Sequence, residues 1–182
     1  MAEKVKESFV KSFWNESTGY LNDCILCDGT IDTSLRPNQI YAAALGFSPL
    51  TKGQKNSVVG VVQRELLTPY GLRTLSPGDS RYIGRYEGGG FERDSAYHQG
   101  TVWPYLLGAF IEAYLRANDF SRDSKTKAMN YLEPLLKHMT EDACIGQISE
   151  IFDGDQPQQP RGCFAQAWSV AEVLRAYKMI TK

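Results

Sequence analysis

Six stretches of this chain repeat their apolar residues every three to four positions, and this helical period limits the fold more than any other feature. Val5, Phe9 and Phe13 form the first stripe. Asn38 to Leu45 is a short second helix, opened by Arg36-Pro37 and closed by Gly46. Val58, Val59, Val62, Leu66 and Leu67 mark a third, which Thr68-Pro69 stops. A fourth spans Thr101 to Ala117 and carries Pro104 in its first turn, where a missing N–H is tolerated. Ala128, Leu132, Leu135, Leu136 and Met139 mark a fifth, bent near Pro134. Phe164, Trp168, Ala171 and Leu174, flanked by Val170 and Tyr177, make a sixth. No segment sustains a two-residue alternation, so the chain reads as all-α.

The connections add the architecture. Long polar links (14–35, 70–97 and 141–162) alternate with short ones (46–53 and 118–123). Loops of that length are uncommon in compact domains and are often functional. Alternating long and short turns predict about three helical hairpins with the elaborate loops gathered at one end. That is half of an (α/α)6 toroid, in one domain over 1–182 with no internal boundary.

At 182 residues, with 23% charged and 42% apolar side chains, the composition is that of a globular protein able to bury a core. The net charge of −1, without a basic block, makes nucleic acid and anionic membrane poor partners. The longest apolar runs, such as Tyr105 to Ile111, are too short to span a bilayer. MAEKVKESFVKSF mixes charged and apolar residues and does not read as a signal peptide, so a cytoplasmic setting is expected. Cys24 and Cys27 form a C-x-x-C, but Cys144 and Cys163 stand far apart without a nearby histidine. Reduced, mostly buried thiols are the expectation, with no metal and no cofactor.

Three loop segments carry residues suited to sugars, and each enters a helix. One is Asp32 to Asn38. The second runs from Tyr70 to Trp103 and contains Arg81, Tyr82, Arg85, Tyr86, Arg93, Asp94 and then Tyr97-His98-Gln99. The third is Gly146 to Asp155, followed by Pro160-Arg161-Gly162 and the helix with Gln166 and Trp168. Aromatic rings stack on the C–H face of a pyranose, while amides, arginines and carboxylates pair with adjacent hydroxyls. Hydrolysis of a glycosidic bond adds two carboxyl groups. Glu150, between Ile148 and Ile151 at the close of a polar loop, has the neighbourhood of a proton-transfer group.

Each of these residues also has a plainer reading. His98 caps a helix or meets a backbone carbonyl, and Trp103 and Trp168 fall on helix-period positions that suit core packing. Arg36 anchors a turn, and Glu150 pairs with Arg161. Asp153-Gly154-Asp155 lacks the later acidic ligand of a calcium loop, and Gly88-Gly89-Gly90 lacks the strand-to-helix setting of a phosphate loop.

Taken together, SLRPNQIYAAAL, GLRTLSPGD, RDSAYHQGTVWPYLLGAFIEAYLRA, GQISEIFDGD and PRGCFAQAWSVAEVLRAY, in this order, resemble the C-terminal part of glycogen debranching enzymes. The likeness is to the amylo-1,6-glucosidase domain in its bacterial and archaeal form, over about Phe13 to Tyr177. It implies an (α/α)6 toroid and an inverting hydrolase that removes α-1,6-linked glucose stubs from glycogen-like polymers. On this resemblance Glu150 is the general base. Arg36, Asn38, Tyr97, His98, Gln99, Trp103, Gln166 and Trp168 line the substrate cup.

Three departures stand out. The family's general acid is an aspartate well upstream, before the region this chain resembles; Asp32, Asp79, Asp94 and Asp153 are present, but none stands in its position. Tyr105 also stands where a second tryptophan is expected, and Glu87-Gly88-Gly89-Gly90 loosens a loop. Three readings follow: a piece of a debranching glycosidase, a non-catalytic glucan-binding module, or a remnant whose uncovered helix faces make it associate. The expected partners are a branched α-glucan and, across the open faces, the missing N-terminal half or a second copy of the chain.

Overall fold

Seven helices carry the architecture of the computed structural model, which describes residues 1–182. They are α1 (Ala2–Phe13), α2 (Ile40–Ala44), α3 (Lys52–Glu65), α4 (Gly90–Ala96), α5 (Leu106–Ala117), α6 (Arg122–Glu141) and α7 (Ala167–Thr181). α5 is apolar on nearly every side, and Leu107, Phe110, Ile111 and Leu115 are fully buried. A helix of that kind belongs at a centre, and burial of each such side chain stabilises by roughly 1.5–3 kcal/mol. α2 and α7 flank α5; α3 packs behind α2 and α5, and α6 behind α5 and α7. Inner helices α2, α5 and α7 thus alternate with outer ones, the arrangement of half a helical toroid. No helix is long and apolar enough to cross a membrane.

Local chemistry sets the outer helices. Thr51 caps α3 by accepting from the Gln54 amide at 3.2 Å, while Gln54 Oε1 accepts from the Thr51 amide at 2.9 Å. This reciprocal box satisfies two otherwise unpaired donors. α6 starts on Ser121, whose hydroxyl accepts from the Ser124 amide, and continues through Pro134 to Glu141.

The long loops are tied together by strands of two or three residues. β1 (Trp14–Asn15) pairs with β2 (Tyr20–Leu21), and β3 (Cys24–Ile25) with β4 (Ile31–Asp32). β5 (Leu67–Thr68), β6 (Gly71–Arg73), β7 (Val102–Trp103), β8 (Ile151–Phe152) and β9 (Pro160–Arg161) form one antiparallel ladder in chain order. Strands this short offer no alternation to read.

The ladder moves helix boundaries. The fourth helix starts at Leu106, not Thr101, because Val102 and Trp103 are extended by pairing with Arg73 and Leu72. The third ends at Glu65 because Leu67 enters the ladder. The sixth starts at Ala167 and leaves Phe164 outside, 64% exposed. α4 is an addition to the six expected helices; it buries Ala96 alone and so has no stripe. The expectation of mostly buried thiols is corrected too: Cys27 and Cys163 are exposed, and Cys24 and Cys144 are half-buried. All four lie outside the helices that form the core.

Candidate active site

Glu150 is fastened by both its backbone and its carboxylate. Its amide donates to the Cys163 carbonyl at 2.8 Å, and the Cys163 amide donates back to Glu150 Oε2 at 2.9 Å. Tyr97 Oη donates to Oε1 at 2.6 Å, and Gln166 Nε2 reaches the same oxygen at 3.3 Å. Gly162 permits this approach: its φ is +66°, and a Cβ there would stand 2.4 Å from Glu150 Oε2. Burial first, and then the Glu150 carboxylate, hold the Tyr97 hydroxyl well above its usual range, so it remains a donor at neutral pH. Three donors aimed at one carboxylate suit its ionised, acceptor-only form.

A second brace lies just beyond. Asp153 is fully buried and accepts from Arg161 Nε at 3.1 Å, Arg161 Nη2 at 3.0 Å and the Tyr86 amide at 2.9 Å. Arg85 Nη1 stands 3.5 Å away. Arg161 therefore pairs with Asp153 and, at 3.8 Å, with Glu87. Its partner is not Glu150. The loop before α4 and the loop after β8 are locked together behind the candidate base.

A cavity of about 440 Å³ has Asp23, Asp32, Arg36, Asn38, His98, Gln99 and Trp103 in its wall. Glu150 does not line it and is linked to it through Tyr97, whose ring lies against His98 and Trp103. Arg36 donates inward to the Thr74 carbonyl (3.0 Å), the His98 carbonyl (2.7 Å) and Gln99 Oε1 (2.8 Å), and pairs with Asp23 at 3.6 Å. Asn38 Nδ2 donates to Asp23 Oδ1 at 3.0 Å. Gly100, at φ +149°, lets this turn lie against the Ile83 carbonyl, where a Cβ would come within 2.4 Å.

The aromatics join the two parts. The His98 ring lies parallel to Trp103 (centroids 5.4 Å apart, 9° between planes) and beside Tyr97 at 4.8 Å. Partial burial, and then the Arg36 charge, lower the His98 pKa below the usual imidazole value, so the ring is neutral at pH 7. Trp103 is 4% exposed and belongs to the core, with its indole N–H donating to the Tyr97 carbonyl at 3.1 Å. Trp168 is 46% exposed; it stacks on Tyr105 at 4.3 Å and meets Trp103 edge-on at 5.7 Å.

Of the residues expected from sequence, Glu150, Tyr97 and Gln166 form one bonded cluster, and Arg36, Asn38, His98, Gln99 and Trp103 border the cavity. Trp168 reaches them through Trp103 and Tyr105. Sequence reasoning missed Asp23, Thr74 and the Cys163 amide, and noted Tyr105 only as a departure from an expected tryptophan. A backbone donor has no side-chain signature, and Asp23 is tied to this site only by the fold.

Of the four aspartates considered from the sequence, Asp32, Asp79 and Asp153 are held by other partners. Hydrogen bonds from Ser34, aided by Arg81 and Arg36, hold the Asp32 carboxyl below its usual range. The Arg81 side chain holds Asp79 down to about 2. Both are ionised at neutral pH. Asp153 is enclosed by arginines, and Asp94 stands exposed on α4. Asp23, Cys24 and Asp32 bring one ligand atom each within 4.8 Å of one another. Arg36 and Asn38 occupy Asp23, and Ser34 and Arg81 occupy Asp32, so this group does not fit a cation.

A helical half-ring with a braced glutamate, linked through Tyr97 to the aromatics of a nearby cavity, is the frame of a glycoside-hydrolase-like domain. The family described as amylo-alpha-1,6-glucosidase matches residues 1–175, and the chain belongs to that family. A glycogen debranching enzyme of Saccharomyces cerevisiae is 33% identical over 91 residues, covering 46% of this chain and 6% of that protein. Among solved structures, neutral trehalase of the same yeast superposes with a TM-score of 0.63 at 20% identity, over 96% of this chain and 29% of that one. The GH63 mannosylglycerate hydrolase of Thermus thermophilus, in complex with glucose, gives 0.65 at 17% identity, over 94% and 38%. The two solved structures share the fold, and the chain spans well under half the length of each of these relatives.

Proposed function

We propose that the chain forms the base-bearing part of an inverting glucosidase acting on α-1,6 branch points of glycogen-like glucans. The observation that carries this reading is the Glu150 carboxylate held by Tyr97, Gln166 and the Cys163 amide, with the Tyr97 ring packed on the cavity-lining His98 and Trp103. In this mechanism Glu150 takes a proton from a water as that water attacks the anomeric carbon from the face opposite the leaving group. Tyr97 and Gln166 hold the carboxylate toward the water. The general acid comes from outside this chain, since Asp32 and Asp79 are held ionised and Asp153 is locked.

His98 and Trp168 present ring faces for a glucosyl unit, with Trp103 packed behind them and Asn38 and Gln99 as hydrogen-bonding rim. Arg36 spends its donors on the protein, so it serves by holding Gln99 and the 97–99 turn. No cofactor is called for. The chain as a whole is proposed as the C-terminal portion of an (α/α)6 domain, without internal boundary and in a cytoplasmic setting. Its open ends, the apolar groove between α1 and α2 and the outer face of α7, are covered by the other half of such a domain or by a second copy. Nucleic acid and membrane are not expected partners.

The ionised state of the aspartates also supports a second reading, a glucan-binding module without hydrolysis. Glucose release from a branched limit dextrin by the chain assembled with the acid-bearing half of such a domain, with Glu150→Gln alongside, separates the two. Release that falls by roughly 10²–10⁴-fold in the variant supports the glucosidase. Binding by both proteins without release supports the module.

A further inference from the structure

We propose that His138 is a positioning residue for Glu150, acting through the backbone of Ser149; this rests on the reading of Glu150 as the base. His138 sits in the last turn of α6, 3% exposed. Its Nε2 accepts the Ser149 amide proton at 3.3 Å. An imidazole nitrogen that accepts must carry a lone pair, so the ring is neutral and its proton is on Nδ1. Nδ1 faces Asp142 Oδ2 at 3.4 Å and makes no aligned hydrogen bond. Phe152 at 5.0 Å and Tyr70 at 6.2 Å meet the ring at 69° and 67°, fixing its plane.

The segment before β8 has few fasteners. The Gln166 amide donates to the Ile148 carbonyl at 2.9 Å, and the Glu150 amide donates to the Cys163 carbonyl at 2.8 Å. Both tie it to the stretch between β9 and α7, which also supplies the donors to the Glu150 carboxylate. His138 gives the one side-chain acceptor for the Ser149 amide, and it anchors that amide to α6. Ser149 is buried, so without the imidazole its amide would have no water to turn to. An apolar ring of similar size would fill the space between Tyr70 and Phe152 and still release the strand. The imidazole is there as an acceptor, and what it sets is the direction in which residue 150 leaves the loop.

The test is residue-resolved amide hydrogen exchange on this chain and its His138→Phe and His138→Gln variants. The phenyl ring removes the acceptor, and the glutamine amide restores one. In His138→Phe, protection of both the Ser149 and Cys163 amides should fall at least about tenfold, because Cys163 N–H reports on the Glu150 carboxylate. Phe110 and Ile111 amides in α5 should keep theirs, and His138→Gln should recover Cys163. Unchanged protection at Cys163 in His138→Phe, or equal loss in His138→Gln, overturns the proposal. Should the phenyl variant lose α5 protection as well, the wild-type ring decides through 15N chemical shifts. A protonated Nε2 overturns the proposal, and a lone-pair Nε2 with loss of Cys163 protection relieved by glutamine sustains it. The Glu150→Gln comparison of glucose release judges the base assignment separately, since it can fail while the exchange pattern at His138 holds.

Discussion

The two ends of this half-ring are built to different standards. Around Glu150, loops from three parts of the chain are bonded to one another, and a fully buried aspartate takes an arginine on top of a backbone amide. At the other end, α1 has an apolar side but buries no residue; Phe9 and Phe13 stack at 5.1 Å over a groove shared with Leu45 and a fully exposed Phe47. The site wall is finished by contacts within the chain. The α1 face has apolar surface arranged for burial, and the chain covers it only in part: Phe9, Val10 and Phe13 are half-buried against the core. Precision is thus concentrated where chemistry is proposed, and the unfinished face lies where a toroid would continue.

Breaking the core should have the largest effect. Phe110→Ala empties a fully buried position on α5, and a loss of about 3–5 kcal/mol is expected in denaturant unfolding. Gly162→Ala comes next. Its methyl meets the Glu150 carboxylate in a left-handed backbone, so about 1–3 kcal/mol should be lost together with glucan binding, as read by calorimetry. A variant that binds normally would show that the Glu150 geometry is not held by this turn.

Acid should act through the Arg81 cluster, in which Asp79 and the cavity-lining Asp32 share one guanidinium. Asp79 is depressed in the folded state to about 2 by Arg81, so its contribution is present above about pH 4 and is lost as pH falls toward that folded value. Asp79→Asn should therefore flatten the decline of the melting temperature over that window, and a parallel decline would refute this account. The smallest effect is expected for Phe9→Ala, under about 1 kcal/mol in the chain alone. A change as large as that of Phe110→Ala would mean that α1 already belongs to the core.

Much of the frame is legible from residue spacing. The stripes at Val58–Val62 and Ala128–Met139 lie within helices whose buried residues they name in large part. The boundaries near Thr101 and Phe164 differ from the spacing because Trp103 and Phe164 fit a helical period while the backbone there is extended or looped. A two-residue strand gains its hydrogen bonds from a partner far along the chain, and no local pattern records that. For Glu150, residue type and an apolar flank single out the position that the fold then braces. Its pairing with Tyr97 spans 53 residues, and the Arg36 bond to Gln99 spans 63.

What the sequence determined by itself was helical content, the alternation of long and short links, and a set of motifs placing the chain in its family. These are carried by side-chain type at short spacing, and helix formation is a local, cooperative event. Only the tertiary structure decided that Arg161 serves Asp153 and not Glu150, that Arg36 faces the protein, and that His138 stands behind the candidate base. Those choices depend on which of several nearby donors and acceptors meet once the core has closed. Burial then makes each unmet polar group costly, and the geometry that leaves the fewest unmet is the one the chain adopts.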